Sequence, residues 1–253
     1  MKEIIAWFSG GCTSAVACKL TLDEYKEDNI RIIYIETGSH HTDHKRFIED
    51  CETWFGKKIE TLRSPKYTDV LDVIDKEKFI NSPYGARCTK ELKQKVRLDY
   101  EKIHPEITHQ VWGFEYNSKE INRAERFRIK YTQHEHLCPL IDNKITKTDA
   151  LEILKQAHIP FPSMYLLGYN NSNCVGCVKG GMAYWNKIRV DFPEVFNNMA
   201  ITERKIGRSC LKKTFLDELD SSAGRGQPPL VSYCGSVGEG CEIELLKEYS
   251  LRE

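Results

Sequence analysis

Residues 4–14 read Ile4-Ile5-Ala6-Trp7-Phe8-Ser9-Gly10-Gly11-Cys12-Thr13-Ser14, an apolar run followed at once by a glycine pair and hydroxyl side chains. The apolar run predicts a buried strand, and the glycine pair predicts a tight turn into a helix over 13–28. Two glycines let the backbone approach a ligand closely, and successive N–H groups at a helix N-terminus attract anions. The spacing matches neither the dinucleotide-binding fingerprint nor the Walker A pattern. We predict phosphate binding by Ser9, Gly10, Gly11, Thr13 and Ser14, with a plain Ser/Thr-capped turn as the alternative.

The alternation of strands and helices continues outward from this turn. Further strands are predicted over 31–35, 58–62 and 109–112, and helices over 43–55, 68–76 and 89–103. This order favours a doubly wound α/β fold, in which helices cover both faces of a parallel sheet. Ligands on such sheets bind at the carboxyl ends of the strands, which is where the glycine turn lies.

The pattern changes in the second half of the chain. Helices are predicted over 146–157, 183–191 and 194–206, and the stretch 220–241 is rich in Ser, Gly and Pro. We predict a nucleotide-binding α/β domain over 1–180 and a helical, cysteine-bearing C-terminal extension over 181–253 that packs on the same domain.

The overall composition is ordinary for a globular protein. The 253 residues are 40% apolar and 29% charged, with 37 basic and 37 acidic side chains. Zero formal net charge neither supports nor excludes a nucleic-acid substrate. No apolar run reaches bilayer-spanning length and the N-terminus lacks a secretory apolar region, so we expect no membrane association and a cytoplasmic location. In that compartment, ten cysteines indicate metal binding, redox chemistry or burial rather than disulfides.

Two cysteine pairs could bind metal. Cys174-Val175-Gly176-Cys177 has a spacing that lets two thiolates reach one metal ion. Cys234 and Cys241 lie in a glycine-rich stretch. They could complete a zinc site with the first pair, or remain free thiols.

Four motifs in order resemble a known family. Ser-Gly-Gly-x-x-Ser at 9–14 resembles the PP-loop of the adenine nucleotide alpha-hydrolase-like superfamily. Residues 33–38 are similar to the strand-two motif of the phosphoadenylyl-sulfate (PAPS) reductase family, with Glu36 in place of the usual Asp. Residues 138–141, with the following helix that contains Asp149, and residues 159–169 are similar to the stretch ahead of that family's cysteines. The resemblance spans residues 3–180 and implies the fold of that superfamily.

The resemblance also implies a bound adenine nucleotide, either ATP with Mg²⁺ or an adenylyl sulfate. It adds Thr37, Gly38 and Gly113 to the predicted nucleotide site. The family usually has Gly-x-Arg where this chain has Gly-Phe-Glu at 113–115. Arg123 and Arg126 are therefore candidates to contact the phosphates, because a guanidinium group suits bidentate binding of oxyanions. A solvated helix face with i,i+3 ion pairs is the alternative.

A metal centre is the third implication. Adenylyl-sulfate reductases with a [4Fe-4S] cluster have a Cys-Cys pair upstream of their CxxC motif. This chain has one cysteine there, Cys88, which lies 86 residues before Cys174. The resemblance thus implies ligation by Cys88, Cys174 and Cys177, either of a [4Fe-4S] cluster or of zinc. A fourth ligand is absent or is one of Cys138, Cys210, Cys234 and Cys241.

The expected reaction depends on one departure from the family. Sulfonucleotide reductases attack sulfur with the cysteine of a Glu-Cys-Gly-Leu-His segment, whereas this chain has Tyr-Cys-Gly-Ser around Cys234. The departure favours an enzyme in which ATP adenylates an acceptor and sulfur is then delivered, as in tRNA thiolation or DNA phosphorothioation. A sulfur donor or a thiol reductant protein is the expected partner. The alternatives are an adenylyl-sulfate (APS/PAPS) reductase with Cys234 as its catalytic nucleophile, and a non-catalytic, zinc-stapled nucleotide-binding protein.

Overall fold

A computed structural model describes residues 1–82 and 85–231. The strands, in chain order, are β1 (Glu3–Phe8), β2 (Asn29–Glu36), β3 (Ile59–Arg63), β4 (Asn81–Ser82), β5 (Gly85–Ala86), β6 (His109–Val111) and β7 (Glu135–Leu137). Five of them form one sheet in the order β3-β2-β1-β6-β7, while β4 and β5 form an antiparallel pair. β1 pairs in parallel with β2 and β6, and β6 pairs in parallel with β7. The predicted parallel α/β sheet is confirmed.

Helices follow most of the strands. They are α1 (Cys12–Glu24), α2 (His44–Phe55), α3 (Val70–Glu77), α4 (Lys95–Ile103), α5 (Ser118–Lys130), α6 (Pro139–Asp142), α7 (Lys147–Gln156), α8 (Ser163–Leu166), α9 (Met182–Asp191) and α10 (Pro193–Ile206). A π-helical segment, Thr89–Gln94, leads directly into α4, and a 3₁₀ turn forms at Leu216–Glu218. In the part of the chain described, no helix is both long and apolar enough to cross a bilayer.

The chain divides into two compact units that alternate along the sequence. The first unit comprises Met1–Ile35, Thr42–Leu62 and Asp99–Leu167. The second comprises Glu36–His41, Arg63–Leu98 and the segment that begins at Gly168. The predicted separation of residues 1–180 from 181–253 stays a prediction, and the two units divide the chain along different lines.

The core of the first unit lies on both sides of β1. On one face, the Phe8 ring packs against Phe47 and Phe55, with centroids 6.2 Å apart in each pair. On the other face, the Trp7 ring stacks on Trp112 at 6.2 Å. Every residue of β1 from Ile4 to Phe8 is buried, as expected for a central strand covered by helices on both faces. This burial fixes the position at which the glycine turn leaves the sheet.

An ion pair links the start of α2 to the segment that leads into α8. Arg46 donates to both carboxylate oxygens of Asp43 at 2.7 Å and to the carbonyl oxygens of Pro160 and Phe161 at 3.0 Å. Asp43 also accepts the backbone N–H of Ser163 at 2.8 Å. Hydrogen bonding from Arg46 lowers the pKa of Asp43 from 3.8 to about 2. The charged form of Asp43 is therefore stabilised by folding.

Replacing Asp43 with Asn should lower the free energy of unfolding at neutral pH by about 1 kcal/mol, a value that allows for solvent screening of a partly exposed pair. A carboxyl group with a lowered pKa stabilises the fold above its ordinary pKa, and this contribution is lost as the pH falls through about 2. Urea unfolding of both proteins should show the difference at neutral pH and a smaller one near pH 2. The control is Asp142→Asn, at an exposed carboxylate. An equal difference at both pH values contradicts the prediction.

Candidate nucleotide-binding site

The glycine turn connects the carboxyl end of β1 to the N-terminus of α1. The N-cap of α1 is Gly11, no side chain caps the helix, and its first turn contains no acidic residue. Gly10 has a φ of +73°, and a Cβ there would lie 2.5 Å from the ring of His44. His44 is buried and bonds through Nδ1 to the hydroxyl of Tyr34 at 3.1 Å. A side chain is therefore excluded at Gly10, and the helix N-terminus carries uncompensated positive potential.

The hydroxyl of Ser14 holds the turn in shape. It accepts the backbone N–H of Ser9 at 3.1 Å and the hydroxyl of Ser9 at 2.9 Å, and it donates to the carbonyl oxygen of Gly11 at 2.9 Å. Ser14 is only 3% exposed, whereas Ser9 is exposed and Thr13 is half-buried. Ser14 thus organises the turn from within. Contact of these three hydroxyl groups with phosphate stays a prediction.

Gly113 permits a close approach between two elements of the site. It follows β6, and a Cβ at this position would lie 2.8 Å from the Cα atom and 2.9 Å from the backbone nitrogen of Ser14. These distances are shorter than a real Cβ contact, so any side chain would displace the first turn of α1. The structure therefore brings the predicted residue Gly113 against the glycine turn, where it acts through backbone proximity.

The Cβ position of Gly11 is not blocked. A Cβ there would be 3.5 Å from the Tyr165 hydroxyl and 3.6 Å from the Ser9 hydroxyl, at van der Waals distance without a clash. The Tyr165 hydroxyl also interacts with Cys12, the first residue of α1. Burial raises the pKa of the Cys12 thiol to about 12, although Tyr165 and Lys147 partly oppose this. Cys12 is consequently a neutral, buried thiol.

The two arginines predicted to contact phosphate lie on α5. Arg123 donates to both carboxylate oxygens of Glu120, at 3.1 and 2.9 Å, and its guanidinium lies 4.9 Å from the centre of the Phe114 ring. The sequence analysis offered i,i+3 ion pairs on this helix as the alternative to phosphate contact, and one such pair is present. Arg126 is half-buried on the same helix. Phosphate contact by either arginine stays a prediction.

Two further residues at the turn escape the sequence analysis. Lys147 begins α7, and its ammonium lies 5.5 Å from the centre of the Tyr165 ring. Burial lowers the pKa of Lys147, and the nearby carboxylates of Glu115 and Glu120 oppose this change. Tyr165 belongs to the 159–169 motif, and Lys147 lies two residues before Asp149. The motifs that contain or adjoin these two residues could have drawn attention to them. The sequence pattern alone, however, does not show that they lie at the turn.

In the second unit, Thr37 and Gly38 lie close to the cysteine pair. Thr37 is 1% exposed, and its hydroxyl oxygen is 3.1 Å from the sulfur of Cys174. The Gly38 N–H donates to the carboxylate of Glu36 at 2.7 Å. Burial alone would lower the pKa of His40, but Cys174 and Glu36 outweigh it and raise that pKa. The second unit therefore surrounds one sulfur with polar side chains. Nucleotide contact by Thr37 and Gly38 stays a prediction.

Tyr184 fixes the loop that carries the cysteine pair. Its hydroxyl accepts the backbone N–H of Cys177 at 2.9 Å and donates to the carbonyl oxygen of Cys174 at 3.2 Å. Both cysteines and the tyrosine are buried. The loop is therefore held on either side of Gly176 by one hydroxyl group.

The three predicted metal ligands all lie in the second unit. Cys88 is buried and directly precedes the π-helical segment, a kind of distortion that is frequent at functional sites. Over residues 1–82 and 85–231, however, no three His, Cys, Asp or Glu side chains are grouped as a metal ion requires. Cys234 and Cys241 lie outside the described residues. The described cysteines do not by themselves form a fitting site, and ligation by Cys88, Cys174 and Cys177 stays a prediction.

Comparison with known proteins identifies the family. The sequence profile of the phosphoadenosine phosphosulfate reductase domain matches residues 3–180. The chain belongs to this family. The predicted membership is thus confirmed, over the range in which the glycine turn and the cysteine pair lie.

Individual relatives of this PAPS reductase family protein are distant. An uncharacterized protein of Methanocaldococcus jannaschii is 26% identical over 205 residues, which are 77% of this chain and 40% of that protein. The chain therefore spans about two-fifths of the length of that relative. The fold resembles that of a PAPS reductase from Candida auris, solved as a phosphate complex, with a TM-score of 0.51 and 10% identity over 69% of this chain and 82% of that one. The U34-tRNA thiolase NcsA from Methanococcus maripaludis, solved with its [4Fe-4S] cluster, gives a TM-score of 0.46 and 15% identity over 96% of this chain and 82% of that one.

Replacing Gly113 with Ala should destabilise this PAPS reductase family protein by about 1–3 kcal/mol, because the added methyl overlaps the backbone of Ser14. Urea unfolding monitored by circular dichroism measures the loss. Gly181→Ala is the matched control, since a Cβ there would meet nothing closer than 3.9 Å. Equal stability of the two variants would show that the approach of β6 to the turn is not constrained.

Replacing Tyr184 with Phe should destabilise the second unit by about 1–3 kcal/mol, because it leaves the buried N–H of Cys177 without its acceptor. The measurement is thermal unfolding together with the rate at which a thiol reagent modifies Cys174 and Cys177, which should rise. Tyr116→Phe, at an exposed tyrosine, is the control. An unchanged rate of modification would show that the hydroxyl does not hold the loop.

Proposed function

We propose that this protein is an enzyme that binds ATP, or another adenine nucleotide, at the Ser9–Ser14 turn and uses it in adenylation-linked sulfur transfer. Membership of the PAPS reductase family supports a nucleotide-dependent enzyme. The observation that carries the proposal is the N-terminus of α1, which has neither a side-chain cap nor an acidic residue in its first turn. Uncapped N–H groups and the helix dipole attract phosphate. The turn also lies at the carboxyl end of the central strand, the usual ligand position in this fold class.

The reaction begins with nucleophilic attack on phosphorus. An acceptor oxygen attacks the α-phosphate of ATP, the bond between the α-phosphorus and the bridging oxygen breaks, and pyrophosphate leaves. A nucleophile at the sulfide level, supplied by a sulfur donor, then displaces AMP from the acceptor. Backbone N–H groups of the turn stabilise the charge that develops on the phosphate oxygens, and Mg²⁺ accompanies the nucleotide as its counter-ion.

The cysteine pair is the proposed location of the sulfur chemistry. Cys174 lies beside the hydroxyl of Thr37 and the imidazole of His40, so its sulfur has polar neighbours that a reactive thiol requires. Cys88, Cys174 and Cys177 are the residues that would hold a [4Fe-4S] cluster, or zinc as the alternative. Metal analysis of anaerobically purified protein separates these cases: iron with acid-labile sulfide supports the cluster, and one zinc per chain contradicts it.

Replacing Gly11 with Ala should weaken ATP binding at least tenfold, about 1.4 kcal/mol, without lowering the melting temperature. The methyl would meet the hydroxyls of Tyr165 and Ser9 at 3.5 and 3.6 Å, so it fits the fold but fills the space over the turn. Isothermal titration with ATP, AMP and adenylyl sulfates measures the effect, and Gly181→Ala is the control. If the wild-type protein does not bind any of these compounds at millimolar concentration, the proposed function is wrong.

Turnover assays distinguish the remaining reactions. Formation of AMP and pyrophosphate in the presence of a sulfur donor and an acceptor supports the proposal. Thioredoxin-dependent release of sulfite from an adenylyl sulfate, lost in Cys234→Ser, would instead identify a reductase. Binding without any turnover would indicate a nucleotide-binding protein that is not an enzyme.

A further inference from the structure

We propose that Asn81 positions the cysteine centre, by which we mean the three segments of the second unit that carry Cys88, Cys177 and Cys210. The inference rests on the proposed function and deepens it, because it names a residue outside the recognised motifs that arranges the site of the proposed sulfur chemistry. Asn81 is half-buried and belongs to β4, and all three cysteines lie in the same unit as this strand.

The side-chain amide of Asn81 bonds to two of these segments at once. Its nitrogen donates to the carbonyl oxygen of Val178 at 2.5 Å and to that of Cys210 at 3.2 Å. Val178 directly follows Cys177. Because an amide nitrogen carries two hydrogens, both donors of Asn81 have an acceptor. One planar group therefore links the end of the CxxC motif to the segment of Cys210.

The third segment is paired with the strand that contains Asn81. β4 and β5 are antiparallel, with Asn81 opposite Ala86. The backbone N–H of Arg87 donates to the carbonyl oxygen of Ile80 at 3.4 Å. Cys88 is the next residue and is the N-cap of the π-helical segment. Asn81 thus lies on the strand to which the segment of Cys88 is bonded, and its side chain bonds to the other two segments.

Each segment is also anchored to a helix. Glu203 of α10 accepts the backbone N–H of Cys210 at 2.5 Å. Tyr184 of α9 holds the loop of the CxxC motif through its hydroxyl group. Arg87, directly before Cys88, donates through Nε to the carboxylate of Glu77 on α3 at 2.9 Å. These three anchors bind the segments to different helices, whereas Asn81 provides a direct connection between the segments themselves.

Asparagine suits this position because both of its acceptors are carbonyl oxygens. An aspartate would have the same shape but no hydrogen to donate, and its charge would repel both oxygens. An alanine would leave the two carbonyl groups without their donor. Val178 and Cys210 are buried, so water would replace the lost bonds poorly. Loss of the amide should therefore let the segments separate locally, and local opening exposes buried thiols to reagents.

The test compares Asn81→Ala and Asn81→Asp with Asn186→Ala. Asn186 is a matched control, because its side-chain amide also donates to two carbonyl oxygens of the second unit, those of Asp220 and Ala223, each at 2.8 Å. Alkylation with iodoacetamide, followed by mass spectrometry of the peptides, gives the modification rate of each cysteine. Cys18, which is buried in the first unit, reports on global unfolding.

We expect both Asn81 variants to raise the alkylation rates of Cys177 and Cys210 about tenfold or more, because the lost hydrogen bonds oppose local opening. Asn186→Ala should leave these two rates within about twofold of wild type, and the rate of Cys18 should not change in any variant. In a sulfur-transfer assay, Asn81→Ala should lower kcat about tenfold or more with the KM for ATP unchanged, as expected of a residue that arranges the cysteines rather than the nucleotide.

The outcomes separate this inference from the proposed function. Unchanged alkylation rates in both Asn81 variants overturn the inference. Equal acceleration in Asn81→Ala and Asn186→Ala also overturns it, because the second unit is then loosened as a whole. Acceleration of Cys18 by the same factor in both Asn81 variants overturns it as well, since the amide then supports the entire fold. A wild-type protein that binds no nucleotide contradicts the proposed function alone, because the alkylation rates are measured without nucleotide.

Discussion

The hydrogen bonds of the Ser14 hydroxyl are the interaction on which the first unit's site depends. A single buried oxygen receives the backbone N–H and the hydroxyl of Ser9 and donates to Gly11, so it closes the turn on itself. The turn can be this tight only because Gly113 lets the end of β6 approach the Ser14 backbone. A rigid turn keeps the first N–H groups of α1 in a fixed direction. Preorganised donors of this kind stabilise phosphate charge without a cost of reorientation at the moment of reaction.

Two charged side chains of the first unit, Arg123 and Lys147, are also held in defined positions. Arg123 pairs with Glu120 on its own helix. Lys147 lies at the capped start of another helix, and its ammonium lies 5.5 Å from the centre of the Tyr165 ring.

The sequence predicted the framework well and the side-chain contacts poorly. The strands at 4–8 and 31–35 were recoverable because buried parallel strands are largely apolar runs. The more polar strands at 58–62 and 109–112 were also predicted. β7 was missed, since Glu135, His136 and Leu137 form a short edge strand without such a run. For the site, the glycine turn and Gly113 were recognisable as motifs. Lys147 was not, because its place at the turn depends on how α7 packs against α1, and helical periodicity does not report which neighbour a helix contacts.

The cysteines divide into two chemical environments, and this division limits where sulfur chemistry can occur. Burial raises the pKa of Cys12 to about 12 and that of Cys138 to about 11, and it also raises the pKa values of Cys18, Cys51 and Cys210. Thiols of this kind stay neutral in the absence of a metal and are poor nucleophiles. The sulfur of Cys174 instead contacts a hydroxyl and an imidazole, within a loop held by Tyr184. The glycine turn belongs to the first unit and this cysteine to the second, so the proposed phosphate binding and the proposed sulfur chemistry are supported by different sets of contacts.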